Sequence, residues 1–245
     1  MKILGIIPAR YASTRFPAKA LADINGKSMV QRVFEQASKA ESLSKVIIAT
    51  DHDNILNHVK TFTDHIIMTS EAHQSGTDRC CEALEKLNEE FDFVINIQGD
   101  EPFIQPEQID LLAKALTPEV QLATLAKAIT DEQTLFNPNT PKVVFGPDFK
   151  AIYFSRQTIP FLRGIPAHDW LTKHTFYKHI GIYAYRTDVL KEIAKLKPST
   201  LELAESLEQL RWLENGYSIK VAITEYETFG IDTPEDLKKI PCKDS

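Results

Sequence analysis

Short apolar runs alternate with amphipathic segments along the first half of the chain. Residues 3–7, 46–49 and 93–97 are predominantly apolar segments that predict buried strands, and Ile66–Met68 predicts another. Between them, the apolar positions of Met29–Ala37 recur at helical spacing. This alternation is typical of βαβ units, so we predict an α/β fold with a mainly parallel central sheet flanked by helices.

The pattern changes after about residue 120. Four strand-like segments are separated by irregular stretches rich in proline: 122–129, 143–145, 152–154 and 177–185. They predict a mixed or antiparallel β region inserted at about 120–190 within a single domain, 1–245. Helical spacing then returns at 187–196 and 200–215, and we expect the second of these helices to end before Gly216.

Composition narrows the class of protein. The chain has 245 residues, with 28 Lys and Arg against 34 Asp and Glu, a formal net charge of −6. This surplus of negative charge argues against a nucleic-acid or membrane-surface partner, and no run of about 20 apolar residues predicts a membrane span. Three cysteines without a CxxC pair, and histidines without HxxxH spacing, argue against zinc as the metal. We expect a cytoplasmic protein.

The loop after the first strand carries an unusual set of polar side chains. Arg10, Arg15 and Lys19 supply three cations within ten residues, and Ser13 adds a hydroxyl. Ligands of open α/β sheets bind where such loops meet the carboxyl ends of strands, so these residues predict a polyphosphate site. The alternative is a solvated basic loop. A Walker A loop is disfavoured, because Leu21 stands where its first glycine would be.

Two carboxylates are candidates for Mg²⁺. Asp100 follows a strand and a flexible glycine, which suits an ion held by one or two carboxylates and substrate phosphates. Asp232 precedes a helix and, taken alone, is better explained as a helix cap. Asp51 and Asp53 form a weak DxD pattern of metal-dependent glycosyltransferases, although we expect Asp51 to cap a helix.

Several other polar residues have both a functional and a structural explanation. Asp78 and Arg79 begin a helix where free N–H groups could bind an acceptor. Arg156 follows a strand and could pair with a carboxylate. His179 and Tyr183, four apart on a strand, share a face that could equally be core packing. The residues alone therefore indicate a metal-dependent enzyme that handles a nucleotide.

Seven motifs together resemble the 3-deoxy-manno-octulosonate cytidylyltransferase (CMP-Kdo synthetase) family. In order along the chain they are IPARYASTR at 7–15, HQSGTDR at 73–79, QGDEP at 98–102, YFSR at 153–156, HIGIY at 179–183, LEQLR at 207–211 and DTPEDL at 232–237. The first motif is shared with other sugar nucleotidyltransferases, whereas the combination is specific.

The resemblance implies a fold, a reaction and partners. The fold would be that of nucleotide-diphospho-sugar transferases, and the reaction CTP + Kdo → CMP-Kdo + pyrophosphate, with Mg²⁺, in lipopolysaccharide biosynthesis. A homodimer formed through the inserted β region is expected. Three alternatives stay open: a cytidylyltransferase for 8-amino-Kdo or sialic acid, a glycosyltransferase, and a CTP-sensing module without turnover.

The resemblance also implies residue roles. Arg15, Lys19, Asp100 and Asp232 would be catalytic, with both aspartates holding the metal. CTP would be bound by Ala9, Arg10, Ser13, Arg15, Lys19, Ser75, Gly76, Gln98 and Asp100. The sugar would contact Gln98, Arg156, His179, Tyr183, Glu208 and Gln209. Ala18 replaces the glycine that is common in the family, which is harmless at a negative φ and costly at a positive one.

Overall fold

The computed structural model describes residues 1–12, 16–227 and 229–238. The chain divides into two compact units, one containing Met1–Ala113 with residues 229–238, the other containing Lys114–Glu227. The second unit includes the predicted inserted region and extends beyond both of its ends. Across the described ranges, we find no helix with the length and apolar character that a membrane span requires.

The first unit is built on parallel strands. β1 pairs in parallel with β4 and β6, and β4 pairs with β5, while β2 and β3 form a separate small hairpin. The side chains of β1, β4 and β6 are almost entirely buried, as expected for a sheet covered on both faces. The strands are β1 (Ile3–Ala9), β2 (Asp23–Ile24), β3 (Lys27–Ser28), β4 (Lys45–Thr50), β5 (Ile66–Met68) and β6 (Phe93–Asn96).

The helices of this unit begin at caps that the sequence encodes. Ser28 accepts a hydrogen bond from the Gln31 amide, and Ser75 accepts one from the Asp78 amide. The Ser75 cap starts a helix immediately after a loop, so it also fixes where that loop meets the sheet. The helices are α1 (Met29–Ala37), α2 (Asp53–Val59), α3 (Gly76–Leu87) and α4 (Pro106–Lys114), and the chain returns to this unit with a short helix, Pro234–Leu237.

The second unit has a mixed sheet, which confirms the predicted change of pattern. β10 is antiparallel to β7 and β8, and β8 is antiparallel to β9, whereas β11 runs parallel to β7. The strands are β7 (Leu122–Ala128), β8 (Lys142–Phe145), β9 (Ala151–Ser155), β10 (Tyr177–Arg186) and β11 (Ile219–Ile223). The helices are α5 (Glu132–Phe136), α6 (Trp170–Lys173), α7 (Thr187–Ile193), α8 (Thr200–Glu205) and α9 (Gln209–Glu214).

The prediction of one helix over 200–215 is wrong. The helix breaks at Ser206, which has a left-handed φ of 51° and separates α8 from α9. Arg156 explains the break, because its Nε donates to the Glu205 carbonyl at 2.6 Å and its Nη2 to the Ser206 carbonyl at 3.2 Å. Carbonyls that α8 leaves without helical partners are thereby satisfied from a distant loop. Gly216, with a φ of 83°, follows α9 as predicted.

Candidate active site

A pocket of about 280 Å³ opens in the first unit where β1 and β6 end. Such a position, outside the carboxyl ends of parallel strands, is where open α/β sheets bind ligands. Most of the residues predicted for the nucleotide and metal line it: Ala9, Arg10, Lys19, Ser75, Gly76, Gln98, Asp100 and Asp232. Ser13 and Arg15 lie outside the described residues.

Gly99 allows the two strand ends to meet. A Cβ atom at this position would lie 2.4 Å from the Pro8 carbonyl oxygen, a distance that a real side chain cannot adopt. The glycine therefore lets the turn after β6 lie directly against the end of β1. Gln98 and Asp100, on either side of it, are thereby placed in the pocket beside Ala9.

Lys19 brings the two predicted metal ligands together. Its Nζ lies 2.7 Å from Asp100 Oδ2 and 3.3 Å from Asp232 Oδ1. All three side chains keep some solvent exposure, 17% for Lys19, 31% for Asp100 and 48% for Asp232. Two carboxylates thus converge on one positive charge at an open end of the pocket, an arrangement suited to cations and phosphates.

Asp232 reaches this point because the C-terminal segment is fastened beside Asp100. The Ile231 amide donates to the Asp100 carbonyl at 2.9 Å, and the Ile231 side chain is fully buried in a cluster with Ile24 and Met29. The helix that follows is capped by Thr233 with Asp236. Capping is therefore supplied by another residue, and the Asp232 carboxylate points to Lys19.

The sequence-based prediction that Asp51 caps α2 is wrong. The N-cap is His52, whose Nδ1 accepts a hydrogen bond from the Asn54 amide. Asp51 is instead buried in an ion pair, with its Oδ2 2.8 Å from Nη2 of Arg79. Because that oxygen is engaged in a buried pair while Asp53 is exposed, the two do not form a DxD metal site.

Glu101 lies next to Asp100 but differs in its charge. Burial, followed by the negative charge of Asp100, raises the pKa of Glu101 to about 8. At neutral pH the Glu101 carboxyl is therefore mostly protonated. The negative charge at this turn belongs to Asp100.

Sequence reasoning did not assign pocket roles to His73 and Gln74, which line the wall before α3. His73 Nε2 is in short contact with Glu82. Burial alone would raise the pKa of Glu82, but hydrogen bonds from Lys86, the Ser70 amide and His73 lower it to about 2. His73 and Gln74 stand just before the N-terminus of a predicted helix, and this position was the signal that could have identified them as pocket residues.

In the second unit, a bulge in β10 brings His179 and Tyr183 together. Side chains four residues apart on a regular strand are roughly 13 Å apart, but these two ring centroids are separated by 5.2 Å. The register against β7 slips between Ile180 and Tyr183, which accounts for the shortening. His179 Nε2 also lies 3.0 Å from Thr124 Oγ1, and burial lowers the pKa of His179 to about 3.

Among the buried polar atoms of this unit, three on neighbouring side chains have no hydrogen-bond partner within the part of the chain that the structure describes. They are Tyr183 Oη, Gln209 Nε2 and Trp212 Nε1. The rings of Tyr183 and Trp212 pack edge to face, with their centroids 5.0 Å apart. Burial is the main cause of a raised pKa of Tyr183, and the neighbouring Tyr185 and Glu208 raise it further. Buried polar groups without partners are rare in folded proteins, and water or a bound ligand can supply the missing hydrogen bonds. Trp212 was not identified from the sequence.

Arg156 has extensive structural contacts. Besides its bonds to Glu205 and Ser206, its Nη1 donates to the Pro138 carbonyl at 3.2 Å. Three of its five N–H groups are thus engaged with backbone carbonyls, which leaves at most two for a ligand. A contact between Arg156 and the sugar stays a prediction.

Ala18 adopts the conformation that alanine tolerates poorly. Its φ is 54° and its ψ 28°, in the left-handed region. The residue precedes Lys19, and the strain therefore lies beside a cation of the pocket. Alanine in place of the family's common glycine therefore costs conformational free energy at this position, because φ is positive.

Comparisons with known proteins identify the family of the chain. Residues 4–223 match the family model described as cytidylyltransferase. The 3-deoxy-manno-octulosonate cytidylyltransferase of Cytophaga hutchinsonii is 61% identical, covering 98% of this chain and 96% of that protein, and that of Parabacteroides distasonis is 59% identical at the same coverage. A solved CMP:2-keto-3-deoxy-manno-octonic acid synthetase complexed with CTP has a TM-score of 0.90 and 41% identity, over 98% of this chain and 96% of that one.

Proposed function

The chain belongs to the 3-deoxy-manno-octulosonate cytidylyltransferases, and from that premise we propose that it transfers CMP from CTP to the anomeric hydroxyl of Kdo, releasing pyrophosphate. The product, CMP-Kdo, would serve lipopolysaccharide biosynthesis. The observation that carries the proposal is the convergence of Lys19, Asp100 and Asp232 in a pocket at the ends of β1 and β6.

The chemistry suits this pocket. The sugar oxygen forms a bond to the α-phosphorus of CTP, the bond from that phosphorus to the bridging oxygen breaks, and pyrophosphate leaves. The hydroxyl proton passes to solvent. Such transfers depend mostly on positioning and on stabilising negative charge. We propose that Arg10, Ser13, Arg15 and Lys19 hold the phosphates, and that Ala9, Ser75, Gly76 and Gln98 bind the cytidine.

We propose Mg²⁺ as the cofactor, held by Asp100 and Asp232. No group of three or more potential ligands occurs among the described residues, but Mg²⁺ needs only one or two carboxylates when the substrate adds phosphate oxygens. Both aspartates already face a single cationic atom, Lys19 Nζ, so their oxygens fit a positive ion. When bound, the ion supplies positive charge to the phosphates and the attacking oxygen.

We propose that the sugar contacts His179, Tyr183, Glu208 and Gln209 of the second unit, together with Gln98 and Arg156. The unpartnered atoms of Tyr183 and Gln209 support this, because a sugar offers hydroxyls that can bond them. His179 is neutral at physiological pH and can donate or accept without adding charge.

We further propose a cytoplasmic homodimer that associates through the inserted β region and has no nucleic-acid or membrane partner. The net charge of −6 supports the last point. Light scattering coupled to size exclusion tests the dimer, which a monomeric mass would refute.

The reaction is tested by measuring pyrophosphate release from CTP and Mg²⁺ with Kdo, 8-amino-Kdo and sialic acid offered in parallel. We expect release with Kdo, loss of release on chelation, and recovery when Mg²⁺ is added back. Release only with another sugar would reassign the substrate. CTP binding without release from any sugar would instead favour a nucleotide-sensing protein.

A further inference from the structure

The backbone of Tyr11 connects two cations of the nucleotide pocket. Tyr11 directly follows Arg10, and its carbonyl accepts a hydrogen bond at 3.2 Å from the amide of Ala18, the residue before Lys19. Arg10 and Lys19 both line the pocket. The position of Tyr11 therefore helps to set where both positive charges lie.

Tyr11 is itself held by the residues that precede α2. Its amide donates to Asp51 Oδ1 at 3.0 Å, and Asp51 is fixed by its buried ion pair with Arg79. Its ring stacks on the ring of His52, with centroids 3.8 Å apart and an angle of 14° between the planes. One hydrogen bond and one ring contact thus join Tyr11 to the two residues that precede α2.

From these contacts we propose that His52 is a positioning residue for the phosphates of CTP, acting through the ring of Tyr11. The proposal rests on the proposed function, since it assumes that the pocket binds CTP. His52 is not among the described residues that line the pocket, so its effect on the nucleotide passes through Tyr11. Holding Tyr11 fixes Arg10 and Lys19 before the nucleotide arrives, and this preorganisation strengthens binding.

His52 has a second, structural role that must be separated from the first. Its Nδ1 caps α2 by accepting a hydrogen bond from the Asn54 amide at 3.1 Å. Two substitutions divide the roles. His52→Asn keeps a good capping side chain and removes the ring, whereas His52→Phe keeps a ring and removes the cap.

The experiment measures CTP affinity by calorimetry without sugar, and KM for each substrate and kcat with Kdo, for wild type and both variants. We expect His52→Asn to raise the Kd and KM for CTP about threefold to tenfold, the value of one aromatic contact, with an unchanged KM for the sugar. His52→Phe should retain the wild-type affinity for CTP but lower the melting temperature by about 2–4 °C. Tyr11→Ala should weaken CTP binding as His52→Asn does, and combining the two should add nothing further.

Wild-type CTP affinity in His52→Asn would overturn the proposal, and so would equal weakening in both variants, because the cap would then explain the effect. The wild-type protein separates this proposal from the proposed function. Pyrophosphate release by wild type with no difference between variants refutes only the role of His52. Absence of CTP binding by wild type refutes both.

Discussion

The pocket of the first unit and the polar cluster of the second differ in how their polar groups are paired and in how far they are exposed to solvent. In the first, charges are paired and partly exposed, as with Lys19, Asp100 and Asp232. In the second, the buried and uncharged side chains of Tyr183, Gln209 and Trp212 each carry one polar atom without a hydrogen-bond partner among the residues described. Paired charges near water can be exchanged for phosphates and ions at little cost, whereas unpaired buried groups gain only when a ligand supplies hydrogen bonds.

The largest expected effect is at the charged pocket. Asp100→Asn retains the shape of the side chain but removes its negative charge, so kcat should fall by about 100-fold or more. Circular dichroism and the melting temperature should show a retained fold. Asp53→Asn, at an exposed carboxylate in α2, is the matched control and should keep wild-type turnover. Near-normal kcat in Asp100→Asn would remove Asp100 from the catalytic residues.

The second prediction tests whether the polar cluster of the second unit binds the sugar. Tyr183→Phe removes a hydroxyl that lacks a protein partner, so the free energy of unfolding should rise by about 1 kcal/mol while KM for the sugar rises about tenfold. KM for CTP should not change. Tyr185→Phe, at a fully buried neighbour on the same strand, is the control and should leave the sugar KM unaltered. A destabilised Tyr183→Phe with normal kinetics would contradict the comparison.

The third prediction concerns pH. Burial lowers the pKa of His179 to about 3 from an ordinary value of 6.5, so the unfolded chain binds a proton that the folded chain does not. The stability associated with neutral His179 is present above pH 6.5 and is lost as pH falls towards 3. The wild-type free energy of unfolding should therefore fall between pH 7 and pH 5, and His179→Gln should make this fall smaller by about 1 kcal/mol. This figure allows for the water that reaches the half-buried ring. Urea unfolding at several pH values measures it, and an unaltered pH profile in His179→Gln would contradict the effect of burial on this ring.

The smallest effect is expected at Ala18. Because this residue has a φ of 54°, Ala18→Gly should stabilise the protein by about 0.5–1 kcal/mol. The same replacement in the middle of α3, Ala83→Gly, should be destabilising, since a helical backbone favours alanine. Thermal unfolding compares the two, and equal signs would contradict the assignment of strain at Ala18.

The sequence predicted the helices and strands that are determined by residues close together along the chain. Predominantly apolar segments identified β4 and β6 to within a residue or two, and Ser28 was identified as the cap of α1. Hydrophobic spacing and capping depend on neighbours within about four residues, so a single chain contains the needed information.

The predictions failed where the cause lies far along the chain. Asp51 looked like a cap, but its partner Arg79 is 28 residues away. The 200–215 segment looked like one helix, but Arg156 binds the carbonyls at its break from 49 and 50 residues away. Likewise, Asp232 resembled a cap because nothing local reveals Lys19, 213 residues earlier. The residues alone made Asp232 only a second candidate for the metal, and the resemblance to a family, which encodes contacts across the whole chain, favoured that role over capping.

The return of the chain to the first unit has a consequence for synthesis on the ribosome. Asp232 is supplied by the segment that follows the entire second unit, and the Ile231 amide fastens it beside Asp100. A nascent chain that has emerged only to residue 227 contains the strands, Lys19 and Asp100 but lacks the second carboxylate. Translation therefore delivers one half of the carboxylate pair only after the entire second unit, so that the site we propose for the metal ion is assembled only then.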